Sequence, residues 1–184
     1  MPHSNLPFRA LSVLHTSRLL FNKYGFHNVG IDRIIDSAKI PKATFYNYFH
    51  SKERLIEMSL NFQKDGLKHE VLLIIYIQKE LSVIEKLRKI YYLHADLDGL
   101  YHLPFKAIFE IAKTHPKAYQ SVIDYRNWLI KEIYNLLLTS NENASKQDAH
   151  MFLFVIEGAM VQLLDSKSVD DRERLLEYFL VGFG

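Results

Sequence analysis

The sequence predicts an all-α chain with a small N-terminal helical head and a larger helical body. Three observations carry this. Residues 31–52 read as two short helices meeting at a tight turn. Apolar residues recur at helical spacing along most of the rest. Proline and glycine fall at the ends of those segments rather than inside them, Gly66 and Gly158 excepted.

Composition narrows the classes. Of 184 residues, 48% are hydrophobic, enough for a sizeable core. No cysteine is present, which excludes disulfides, thiol redox sensing, Cys-ligated zinc and cysteine nucleophiles. The opening residues, Met-Pro-His-Ser-Asn-Leu-Pro, lack a long apolar run and predict no signal peptide. The longest wholly apolar run, Val71 to Ile77, is far shorter than the ~20 residues of a membrane span. The expectation is a soluble cytoplasmic protein without a membrane partner. Charge is uneven. Residues 1–64 hold nine Lys/Arg against four Asp/Glu, a net +5, and the remaining 120 hold 14 against 17, a net −3. A basic head on a mildly acidic body suits a head that meets phosphate.

Met1 to Pro7 reads as a loose arm, with Arg9 where it joins the first helix. That helix spans Phe8 to Tyr24, and Gly25 suits its C-terminal stop. Gly30 can cap the second helix, whose apolar face is Ile31, Ile34, Ile35 and Ala38. Asp32 in its first turn favours the positive dipole end. Pro41 stops that helix and suits the first position of a third, running to Phe49. Phe45 and Phe49 face inward with Tyr48 beside them, and Lys42, Ala43, Thr44, Tyr46 and Asn47 face outward. Two helices crossing steeply at a short turn, the second one polar outside, is the helix–turn–helix layout. Ser51 can cap a fourth helix beginning at Lys52, which Gly66 kinks or ends. The predicted domains are residues 1–62, with the arm at 1–7, and residues 63–184.

The run Leu20-Phe21, Gly25-Phe26, Ile31, Ile34, Ala38, Ile40, Thr44-Phe45-Tyr46, Tyr48-Phe49, Ser51-Lys52-Glu53 and Leu55 resembles the DNA-binding domain of the TetR family of bacterial transcriptional regulators. The resemblance covers residues 9–62, and its most specific part is Thr44 to Glu53. It departs at four positions. The family usually has Gly at Lys39, Ser at Pro41, Gly at Ala43 and Thr at Gly30. The resemblance implies that the third helix enters the major groove of double-stranded DNA. Tyr46 and Lys52 are then expected at phosphates, and Lys42, Thr44 and Asn47 toward the groove, where Asn suits adenine, Lys guanine and the Thr methyl thymine. Arg9 is a further candidate phosphate contact.

Beyond Leu67 the chain reads as helices. Val71 to Lys89 is apolar early, and Ile90 to Leu103 is rich in aromatics. Pro104 can start a helix that ends near Thr114, and another runs from Pro116 or Lys117 to Leu138. Thr139 to Lys146 is a polar loop. Ala149 to Leu164 is apolar nearly all round. Asp165 to Asp170 is a turn, followed by a last helix to Phe183. These two final helices resemble the pair through which TetR-family proteins form four-helix-bundle dimers. Phe152, Ile156, Gly158, Met160, Leu175 and Phe179 are the expected homodimer contacts. Tyr91, Tyr92, Tyr101, Phe105, Phe109, Tyr125 and Trp128 are candidate lining for the small-molecule effector pocket that the resemblance implies, its occupant partly apolar. His94, Asp96 and Asp98 alternate in a way that suits a loop rather than ligands on one helix face, so no metal or other cofactor is expected. No nucleophile–base pair or phosphate loop is present, and an enzyme is not expected. The expected function is a ligand-responsive regulator, a repressor in the family's commoner mode, that binds a near-palindromic operator as a dimer. The rival is an all-α small-molecule-binding protein or enzyme whose helix–turn–helix is only structural.

Overall fold

The computed structural model describes residues 7–165 and 169–182. Those residues form nine α-helices and no strand. They are α1 Phe8–Tyr24, α2 Ile31–Ala38, α3 Lys42–Phe49, α4 Lys52–Leu72, α5 Val83–His94, α6 His102–Glu110, α7 Pro116–Leu138, α8 Lys146–Asp165 and α9 Val169–Val181. A π-helical turn, Leu73–Ile77, follows α4. No helix among the described residues is long and apolar enough to cross a membrane. The arm before Pro7, most of the turn expected at 165–170, and Phe183 lie outside the described residues.

Local chemistry sets most helix ends where the sequence places them. Gly25 ends α1 at φ +83°, and Gly30 is the extended N-cap of α2. Ser51 Oγ accepts the Arg54 amide at 3.1 Å and caps α4. Pro41 is the extended N-cap of α3 rather than its first residue, so the helix starts at Lys42. Gly66 neither ends nor interrupts α4, whose assignment continues to Leu72. A missing side chain costs a helix only ~1 kcal/mol, which flanking residues such as the buried Leu67 and Val71 offset. Two helices begin with capping boxes. Ser82 Oγ accepts from the Glu85 amide while Glu85 Oε2 accepts from the Ser82 amide, and Ser145 and Asp148 repeat the exchange at α8.

The chain packs as two compact units. One comprises the described residues up to Asp65 together with Leu103–Ile123. Its core joins Val13, Leu14, Phe21, Phe26, Ile34, Phe45, Phe49, Leu55 and Ile56 to Leu103, Ala107, Ile111 and Val122. The head is therefore completed by α6 and the start of α7, far along the chain.

The other unit comprises Gly66–His102 and the described residues from Asp124 on. α8 packs on α9 within it, with Phe152 and Phe179 ring centroids 5.2 Å apart. The six residues expected at a dimer contact differ in burial. Phe152, Ile156, Met160 and Phe179 are buried inside their own subunit. Gly158 is exposed with open space where a Cβ would stand, and Leu175 is exposed. The reason is that α8 has two apolar faces, and α9 covers the one bearing Phe152. The face left uncovered carries Met151, Phe154, Val161 and Leu164, joined on α9 by Leu175, Tyr178 and Val181.

Candidate nucleic-acid interface

The turn between α2 and α3 is closed by backbone. Lys39 N–H donates to Asp36 O at 3.2 Å and Ile40 N–H to Ile35 O at 3.3 Å. Lys39 adopts the left-handed conformation, φ 52° and ψ 47°. This is the position where the family usually has Gly, and the backbone shows why. A lysine side chain is thereby held, exposed, in the turn.

α3 has only eight residues, too few to persist alone. Phe45 and Phe49 fix it, both fully buried with ring centroids 5.5 Å apart. Burying each contributes roughly 1.5–3 kcal/mol, enough to decide which face turns inward. Lys42, Ala43, Tyr46 and Asn47 are then exposed, while Thr44 and Tyr48 are half-buried. Tyr46 rests edge-on against Phe45, centroids 5.4 Å apart, so its partly exposed ring is braced. His50 ends α3 at φ 61°. Lys52 begins α4, half-buried, and its Nζ reaches His27 O at 3.5 Å. Desolvation lowers its pKa and the neighbouring Glu53 opposes that. Arg9 is exposed in the first turn of α1, on a separate element.

One contact could not be read from sequence. Lys42 Nζ donates to Asp32 Oδ1 at 3.1 Å, joining the first turns of α2 and α3. Its hydrogen bond and charge raise the Lys42 pKa. The two residues are ten apart and carry no local pairing signal, since only the crossing of the helices brings them together. Glu110 was missed likewise. Its Oε2 accepts the Phe26 amide at 2.6 Å and its backbone oxygen accepts from His27 Nε2 at 2.7 Å. Lys106 donates to Asn22 O at 2.9 Å. The last turn of α6 thus holds the α1–α2 connector.

The aromatic residues expected around an effector are divided between the two units. Phe105, buried, and Phe109, exposed, belong to the unit that contains the helix–turn–helix. In the other unit His94, Tyr101 and Tyr125 are fully buried and in ring contact, and Trp128 lies 5.7 Å from Tyr125. His94 Nδ1 donates to Ile90 O at 2.6 Å, leaving Nε2 to accept from the Tyr125 hydroxyl at 2.5 Å. Burial lowers the His94 pKa to about 4 and pushes the Tyr125 phenol well up. The Tyr101 hydroxyl donates to Glu157 Oε1 at 3.1 Å, and Glu157 also pairs with Arg126. Tyr91 is buried with its hydroxyl on Arg172 O at 2.5 Å, and Tyr92 is partly exposed. Asp96 Oδ1 accepts the Asp98 amide at 2.9 Å, so the Asp96–Gly99 segment is a turn, as its spacing predicts.

A helical head that presents a polar helix–turn–helix face has the layout of a DNA-binding domain. Residues 13–58 match the family model described as bacterial regulatory proteins, tetR family. A curated relative, the negative transcriptional regulator IcaR of the biofilm operon icaADBC from Staphylococcus aureus (strain Newman), is 24% identical over 140 residues, covering 76% of this chain and 67% of its own. A TetR transcriptional regulator from Legionella pneumophila shares the fold at TM-score 0.86 and 16% identity, over 98% of this chain and 100% of that one. The regulator FadR from Bacillus subtilis, solved in complex with stearoyl-CoA, shares it at TM-score 0.70 and 15% identity, over 95% and 99%.

Proposed function

We propose that this protein is a dimeric, ligand-responsive repressor that binds a near-palindromic operator, one head per half-site. The observation that carries the reading is α3: aromatic and buried on one side, with Lys42, Tyr46 and Asn47 exposed on the other. Asn47 and Lys42 offer base-edge chemistry, and Tyr46, Lys52 and Arg9 offer donors to phosphate. IcaR, a negative regulator, supports repression.

Dimerisation is supported by the uncovered apolar face of α8 and α9. Phe154, Val161, Leu164 and Tyr178 are each more than half exposed, and an apolar face of this kind is what a second copy covers. The effector is an uncharged or partly apolar small molecule received by the second unit, near Tyr92, Tyr101, Tyr125 and Trp128. FadR with its bound stearoyl-CoA supports an effector with a large apolar part. Effector and DNA compete through two states of the dimer that differ in head separation, and the effector shifts them only by its difference in affinity.

Fluorescence anisotropy on the DNA flanking the protein's own gene, against random duplex over a salt series, tests this. Roughly 6–10 phosphate contacts give a ~10³–10⁵-fold loss between 50 and 200 mM salt. Tyr46→Ala and Lys52→Ala abolish binding while helical content is unchanged. A protein that binds no DNA at low salt overturns the reading and favours a helix–turn–helix that is only structural.

A further inference from the structure

We infer that Asp32 is a specificity determinant of the DNA interface: by holding the Lys42 ammonium it withholds that charge from sequence-indifferent phosphate contact. The inference rests on DNA binding by the α2–α3 face.

The geometry is direct. Lys42 is the first residue of the recognition helix and Asp32 lies in the first turn of α2. Nζ and Oδ1 are 3.1 Å apart, and both side chains are largely exposed. An exposed ion pair adds little to folding stability, and the favourable placement of Asp32 at the positive end of α2 does not need the lysine. The consequence for binding is larger. Non-specific affinity comes from cations that neutralise phosphates and release counterions. A lysine already neutralised by a carboxylate releases none, and the carboxylate itself stands beside the approaching phosphates. Other cations of the head are engaged differently. Arg33 stacks over Tyr24 at 3.7 Å, and Arg54 pairs with Glu57 at 2.8 Å. The Lys39 side chain has no partner among the described residues and remains available for phosphate. Lys42 is thus the cation of the recognition helix whose use is conditional. It leaves Asp32 where the groove offers better acceptors, and guanine O6 with N7 is such a pair. The Asp32 carboxylate then has its own acceptable neighbour, the cytosine N4 amino group.

The test is a double-mutant cycle on the full chain, read by anisotropy on fluorescein-labelled random duplex and on the gene-flanking duplex over a salt series. Asp32→Asn tightens random-duplex binding several-fold and steepens log K against log salt by ~0.9, the value of one recovered phosphate contact. It also lowers the ratio of flanking to random affinity. Lys42→Met alone leaves the random-duplex slope nearly unchanged, because the charge it removes is already withheld. In the Asp32→Asn background the same substitution removes the gained slope. If Asp32→Asn changes neither affinity nor slope, or if Lys42→Met flattens the slope equally in both backgrounds, the inference is wrong. Should Asp32→Asn lose helical content, Lys42→Met in the wild-type chain decides alone. Absence of DNA binding by the wild-type chain fails the DNA-binding reading, and this inference with it.

Discussion

Glu110 accepts the Phe26 amide at 2.6 Å, although the two residues lie 84 apart in the chain. The carboxylate also stands 3.7 Å from Lys106 Nζ, and Lys106 holds the carbonyl of Asn22. The connector before the helix–turn–helix is thus fixed by α6. Glu110→Ala leaves a part-buried N–H without a partner and is expected to cost about 1–3 kcal/mol. Glu110→Gln retains an acceptor and costs less. Urea denaturation followed by circular dichroism checks both; equal stability of Glu110→Ala and wild type removes the connector's dependence on α6.

Gly25 makes the same junction possible. Its φ is +83°, and a Cβ built there would stand 2.8 Å from Glu110 Oε2. Gly25→Ala combines backbone strain with that clash, and a loss of about 1–3 kcal/mol is expected. In the Glu110→Ala background the clash disappears and only the strain remains. The two substitutions together should therefore cost less than the sum of their separate effects.

His94 makes stability depend on pH. Burial takes its pKa from the ordinary 6.5 down to about 4 in the folded chain. The unfolded chain then binds the proton first as pH falls. The stabilisation is complete above pH 6.5, declines between about pH 6.5 and 4, and declines no further below that. A shift of this size corresponds to about 3 kcal/mol. Trp128, the sole tryptophan, lies in the same unit and reports its unfolding. His94→Gln should flatten the fluorescence-monitored stability profile between pH 7 and 4; a profile as steep as wild type would show that His94 is not the group responsible.

The two faces of α8 should respond differently to substitution. Phe154→Glu with Val161→Glu places charge on the uncovered face and is expected to yield a folded monomer by sedimentation velocity. Phe152→Ala empties buried space beside Phe179 and should cost ~3–5 kcal/mol of stability. A dimer that survives the double charge substitution would place the subunit interface elsewhere.

The helical class and the helix–turn–helix are legible in the sequence, because these rest on rules acting within a few residues. Apolar spacing chose the inward side of α2 and α3, Pro41 and Gly25 set boundaries, and Ser51 supplied a cap. The outward placement of Lys42, Tyr46 and Asn47 followed from the same periodicity. Tertiary structure alone decided the rest. α8 is apolar on both sides, so periodicity cannot say which side its own chain covers, and packing against α9 sent Phe152, Ile156 and Met160 inward. Leu103, Ala107 and Ile111 have an ordinary helical pattern, yet they complete the core of the head. Asp32 meets Lys42, and Glu110 meets Phe26, only because separate helices are brought together. A pattern along one helix records that a face is buried; the partner that buries it is fixed by the fit of distant surfaces, which no local rule contains.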